Sequence, residues 1–205
     1  GEGVGKSTNL AFLESLLREH GVEVVVTREP GGTALGEQSR ELLLNAGDVA
    51  VSEMAELLLI FAARAQHVAE VIEPALAAGR WVLCDRFTDA TYAYQGGGRG
   101  LDISAVRDLE DLVQGQLRPD VTLLLDVPVA PGMARAEGRG ELDRIEQESI
   151  AFFERVRHSY LELAENSSGR FRVVDASVPL EEVQMQLAKI GRELLSCWDV
   201  RHPCI

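Results

Sequence analysis

The chain begins GEGVGKSTN, and only three residues separate Gly1 from the glycine that precedes Lys6. The phosphate-binding pattern G-x-x-x-x-G-K-[ST] needs four there, so its first glycine is expected ahead of residue 1. Gly3 and Gly5, with Val4 between them, let successive backbone amides converge on a phosphate. A helix opening at Ser7 and Thr8 would aim its N-terminus at the same anion. Lys6 would reach the β- and γ-phosphates of a nucleotide, and Ser7 would place its hydroxyl on Mg2+.

Five further stretches hold residue types that suit nucleotide chemistry. VLCDRF ends an apolar run in Asp85, where a second acidic group near magnesium is expected, and Arg86 follows, able to hold an acceptor phosphate bidentately. TREPGGT leaves Arg28 and Glu29 at a rigid bend made by Pro30 and two glycines. In LLLIFAARAQHV, Ile60 and Phe61 lie four and three residues before Arg64, so an apolar group and a guanidinium share one helix face. That face suits a planar base, with either Ile60 or Phe61 packed on it. TYAYQGGGRG reads as a flexible glycine-rich loop whose Thr91, Tyr94 and Gln95 can meet a base or sugar. MARAEGRGELDR brings Arg135, Arg139 and Arg144 around two glycines, a mobile lid able to place positive charge on a transferring phosphoryl group. Each stretch also has a plainer reading, as a turn, a core position or a solvated helix end.

These groups need a frame. GVEVVVT, RWVLCD, VTLLLD and RFRVVD are nearly continuous in apolar or β-branched residues, as strands buried on both faces of a parallel sheet are. Between them, helical periodicity spans Ser7–His20, Gly36–Asn45, Glu53–Ala78, Ile103–Gln116, Ala130–Glu137, Glu146–Glu165 and Leu180–Leu195. The alternation predicts one α/β domain over residues 1–205. A strand of about five or six residues should precede residue 1 to feed the phosphate loop.

Composition narrows the classes. The 205 residues are 46% hydrophobic and 26% charged, ordinary for a soluble globular domain. Twenty basic against 33 acidic residues give a net charge of −13, which argues against broad nucleic-acid binding. The longest apolar patch, Leu57 to Ala63, stops at Arg64, far short of the roughly 18 residues of a membrane span. Three cysteines without metal-ligand spacing fit a reduced cytoplasmic compartment. A GTP-hydrolysing switch would need N-K-x-D and D-x-x-G, and neither occurs. The tail SCWDVRHPCI, Ser196 to Ile205, carries no motif and reads as a loosely packed terminus.

From Gly1 to about Leu195, GEGVGKST, TREPGGT, FAARAQH, DRFTDATYAYQGGGRG and GELDRIEQE follow in an order that resembles bacterial thymidylate kinases. The resemblance implies a P-loop three-layer sandwich with about five parallel strands, acting as a homodimer built on helices and making dTDP from dTMP and Mg·ATP. It assigns Gly3, Gly5, Lys6, Ser7 and Thr8 to the ATP phosphates and Glu2 to the neighbourhood of the acceptor phosphate. It puts Arg86 on the dTMP phosphate, Asp85 near magnesium, Arg64 on the thymine edge, and Thr91 and Gln95 by the base. Tyr94 would lie beneath the deoxyribose, with Glu29 and Pro30 lining the pocket. Val4 stands where some members carry an arginine, which directs the search for catalytic arginine to the lid, Arg139 first, then Arg135 and Arg144. Substrates such as dUMP, or a broader deoxynucleotide range, stay open as alternatives.

Overall fold

The structure is a computed structural model that describes residues 2–45, 50–138 and 143–201, of which residues 198–201 are described by backbone alone. Helix α1 (Lys6–Glu19) follows the glycine loop and leads to strand β1 (Val24–Arg28). Helix α2 (Ala34–Leu44) is capped by Thr33, whose hydroxyl accepts from the Gly36 amide at 2.9 Å. Ser52 caps α3 (Glu53–His67) in the same way. The helix expected over Glu53–Ala78 is realised in three parts, α3, a π-helical turn (Val68–Ile72) and α4 (Glu73–Ala77).

Strand β2 (Trp81–Asp85) pairs parallel with β1, and Arg28 faces Asp85 at the end of the register. Helix α5 (Thr88–Thr91) runs into a second π-helical turn (Tyr92–Gly98), then α6 (Ile103–Gln114). Strand β3 (Thr122–Asp126) pairs parallel with β4 (Phe171–Asp175), joined by α7 (Val129–Glu137) and α8 (Ile150–Glu165). Helix α8 opens at Ser149, whose hydroxyl accepts from the Phe152 amide; the expected start at Glu146 falls in a turn. Helix α9 (Leu180–Arg201) continues through Arg201, so the tail is helical to there, with Ser196 and Cys197 exposed.

Alternating side chains divide the strands between two helical layers. Leu83 of β2 and Leu123 of β3 both pack on Leu13, Leu16 and Leu17 of α1 and Leu195 of α9. Leu124, one residue on, turns to the opposite cluster with Phe152, Phe153 and Val156 of α8. Both strand pairs thus share α1 as cover, giving the three-layer α/β arrangement. The expectation of about five strands in one sheet differs from four strands in two pairs among the described residues. The strand expected ahead of residue 1 lies outside them. Burial on both faces is also incomplete: Val26 and Val173 stay exposed.

The expected flexible loop around Gly96–Gly98 is a correction. Tyr92–Gly98 is helical and largely buried against α8. A Cβ on Gly97 would lie 2.0 Å from Ser159 Oγ, and one on Gly98 2.5 Å from the Phe152 ring. These glycines permit close packing; they do not confer mobility.

Candidate active site

The glycine loop that leads into α1 is set by its backbone conformation and by close packing. Gly3 and Gly5 adopt φ of 65° and 78°, in the left-handed region that suits glycine. Gly5 caps α1 with no side-chain acceptor, so the first-turn amides are left for an anion. A Cβ on Gly3 would meet the Gly132 carbonyl oxygen at 1.9 Å, so the start of α7 presses directly on the loop. Asn9, buried, donates to the Gly5 carbonyl at 3.1 Å and pins the loop from below. Ser7 and Thr8 are exposed on the first turn. Val4 turns into the core with Val127 and Ala176, so only its backbone can serve a phosphate.

Beside the loop stands a charged cluster. Glu2 is buried and pairs with Lys6 at 3.1 Å and with Arg86, and Tyr94 donates its hydroxyl to the same carboxylate at 2.7 Å. Burial opposes the charge on Glu2, but Arg86 and Lys6 more than offset it and hold the carboxyl well below the usual range. Burial and the nearby Arg86 push the Lys6 ammonium down, against the pull of Glu2 and Asp85. Arg86 itself has φ 67°, an uncommon backbone conformation for a residue with a side chain. Its ring contact with Tyr94 is 5.5 Å to the centroid. Asp85 therefore ends β2 beside two cations and close to the α1 N-terminus.

From this cluster an open cleft enclosing about 630 Å³ runs between α2, α3 and α5. Arg64, 1% exposed, forms one wall. Its Nε donates to Glu29 at 2.7 Å and its Nη2 to Thr91 Oγ1 at 2.9 Å, while Nη1 has no partner among the described residues. Glu29 is held in turn by His67 Nδ1 at 2.9 Å, and His67 Nε2 meets Thr27 Oγ1 at 2.7 Å. The Glu29–Pro30 peptide bond is cis. Ile60, Pro30, Tyr94, Thr91 and Gln95 line the cleft. Phe61 does not: it is buried with Leu57 and Val106, and its ring lies 4.7 Å beneath the Arg64 guanidinium. Between the two apolar candidates, Ile60 reaches the cleft and Phe61 supports the cation.

The lid residues separate. Arg135, on α7, stands next to the phosphate loop and donates to the Ala176 carbonyl at 3.0 Å. Arg144 is tied to the far wall, donating to the Leu43 carbonyl at 2.7 Å and pairing with Glu56. It anchors the end of the segment, so the structure does not hold it as a free cation over the loop. Arg139 lies outside the described residues.

The family described as thymidylate kinase matches residues 1–187. The chain belongs to the thymidylate kinase family. A protein named thymidylate kinase from Pseudomonas savastanoi pv. phaseolicola is 59% identical over 194 residues, covering 95% of this chain and 92% of its own. One from Alcanivorax borkumensis is also 59% identical, with 95% and 93% covered. The crystal structure of thymidylate kinase from Ehrlichia chaffeensis superposes with a TM-score of 0.75 at 33% identity, covering 94% of each chain.

In this thymidylate kinase fold the cleft and its surroundings also contain residues to which the sequence alone assigned no role. Arg40 of α2 enters the cleft, donates to the Pro30 carbonyl at 3.1 Å and lies near Arg86. Phe87 also meets Arg64, whose guanidinium lies 5.1 Å from the ring centroid. Asp143 and Ile145 bring the lid's end to the cleft. His67 was visible within FAARAQH, but only the fold brings it to Glu29, 38 residues away.

Proposed function

We propose that this member of the family, a nucleoside monophosphate kinase, transfers the γ-phosphoryl group of ATP to a phosphate oxygen of dTMP, giving dTDP and ADP. The observation that carries the reading is the pairing of a glycine phosphate loop with a cleft whose buried Arg64 keeps one guanidinium nitrogen unspent. Arg64 lines the cleft, and a donor of this kind suits a base carbonyl. Arg86 and Arg40, on neighbouring walls, suit the acceptor phosphate.

The acceptor is already an anion, so no strong general base is needed, and catalysis rests on positioning and charge neutralisation. Lys6 and the first-turn amides of α1 hold the donor phosphates. Glu2 keeps Lys6 and Arg86 together and takes the Tyr94 hydroxyl, fixing the phenol ring where a deoxyribose would lie and crowding a 2′-hydroxyl. Arg135 already borders the loop, and Arg139 remains the first choice for a lid cation on the transferring group.

Among the described residues no cluster of His, Cys, Asp or Glu forms a dedicated metal cage. A hydroxyl and one carboxylate nevertheless fit magnesium, which keeps waters and substrate phosphates as its other ligands. Ser7 and Asp85 would hold it, and it would supply charge neutralisation at the β- and γ-oxygens. The proposed compartment is the cytoplasm, in keeping with the free thiol of Cys84. No helix among the described residues is long and apolar enough to cross a membrane. We place a homodimer interface on the exposed stripe of α3 that carries Met54 and Leu58, which are 45% and 50% exposed.

An ADP-release assay across dTMP, dUMP, dCMP, dGMP and AMP tests the reading. The expected result is strong preference for dTMP; preference for any other acceptor overturns it.

A further inference from the structure

Glu56 sits in the first turn of α3 with 1% of its surface exposed, and it is not itself a wall of the cleft. Both its oxygens are fully engaged. Oε1 accepts from Gln95 Nε2 at 2.9 Å and Arg99 Nε at 3.2 Å; Oε2 accepts from Arg99 Nη2 at 3.2 Å and from Arg144. The two guanidinium groups keep the carboxyl ionised despite its burial.

An ionised carboxylate only accepts hydrogen bonds, so it can take only the NH2 end of the Gln95 amide. That settles which way the amide points. Gln95 lines the cleft, and its carbonyl oxygen takes no hydrogen bond among the described residues. One helical turn earlier, Thr91 receives Arg64 Nη2, whose sister nitrogen Nη1 is buried and has no partner among the described residues. Two residues that line the cleft thus keep unspent groups, a donor on Arg64 beside Thr91 and an acceptor on Gln95 one helical turn further on. A thymine edge presents a carbonyl at C4 and an N–H at N3, the complementary pair. Cytosine presents an amino group at C4 and a lone pair at N3, and would meet donor with donor and acceptor with acceptor.

We propose that Glu56 is a positioning residue for base selection: by holding the Gln95 amide with its oxygen toward the cleft, it admits a pyrimidine bearing N3–H and rejects one bearing an N3 lone pair. The inference rests on the dTMP reading above. Glu56→Gln leaves a side chain that can donate or accept, so the Gln95 amide is free to turn over and present its NH2 end.

The test compares kcat/KM for dTMP and for 5-methyl-dCMP, which keeps the methyl group constant, in the wild type and two variants. In E56Q the dTMP:5-methyl-dCMP ratio should narrow at least about tenfold, mainly through KM, with KM for ATP unchanged within about twofold. A general structural role would lower both substrates equally, and that result, or an unchanged ratio in a folded variant, overturns the proposal. Gln95→Met leaves Glu56 and its arginines in place and should narrow the ratio as well. If E56Q does not fold, this variant decides: an unchanged ratio overturns the proposal and a narrowed one supports it. A wild-type enzyme without preference for dTMP would refute the substrate reading itself, before either variant is compared.

Discussion

Arg86 shows how much one position can be asked to do. It leaves β2 with a left-handed backbone, pairs with Glu2, lies over Tyr94 and faces the cleft. An arginine fork is the group that binds a phosphate bidentately, and no other side chain reproduces both its charge and its geometry. Arg86→Ala should therefore lower kcat/KM for dTMP by about 100-fold or more, as expected for a charge-assisted bidentate contact. The ATP dissociation constant should move less than about threefold, since Lys6 and the loop amides are untouched. Steady-state kinetics with an ATP-binding titration checks this, and equal losses for both ligands would remove Arg86 from the acceptor site. The Asp85–Arg86 pair was legible in the sequence because it ends an apolar strand, where ligand-facing residues collect. Glu56 was not legible, since an acidic residue in the first turn of a helix already has an adequate local explanation in the helix dipole.

Among the elements, the π-helical turn at Tyr92–Gly98 and its contact with α8 decide the shape of the cleft's floor. Gly98 has an ordinary negative φ, so helix propensity alone would favour Gly98→Ala by up to about 1 kcal/mol. Sterics oppose it: the added methyl would lie 2.5 Å from the Phe152 ring and 2.9 Å from Val156, both fully buried. Overpacking a core costs about 1–3 kcal/mol, so the clash wins and G98A should be destabilised by about 1–2 kcal/mol net. Urea unfolding checks the sign; a stabilised variant would mean that α8 yields easily. Strands and most helices were legible from apolar runs and helical periodicity, while the caps Thr33 and Ser52 emerged only in the structure. The glycines were not, because a glycine that allows close approach and one that allows motion look alike until the facing element is known.

The whole molecule carries a net charge of −13, yet Lys6, Arg40, Arg64 and Arg86 gather where two anionic substrates would meet. That concentration, and not bulk charge, is what recruits phosphate. At this scale the proposed dimer predicts a solution mass twice the 22.4 kDa of one chain. Leu58→Glu should shift the mass toward one chain in light scattering, because a charge in the apolar centre of an interface is left without a partner; an unchanged mass would move the interface off this stripe of α3. By itself the sequence determined the α/β alternation, the phosphate loop and the acidic and basic pair at the end of β2. All of these are written in spacings of a few residues, where backbone geometry links neighbours directly. The tertiary structure alone decided that Arg86 meets Glu2 across 84 residues, that Ile60 and not Phe61 reaches the cleft, and that Glu56 governs the Gln95 amide. Those are contacts between separate elements, and the side-chain directions that create them exist only once the helices have packed.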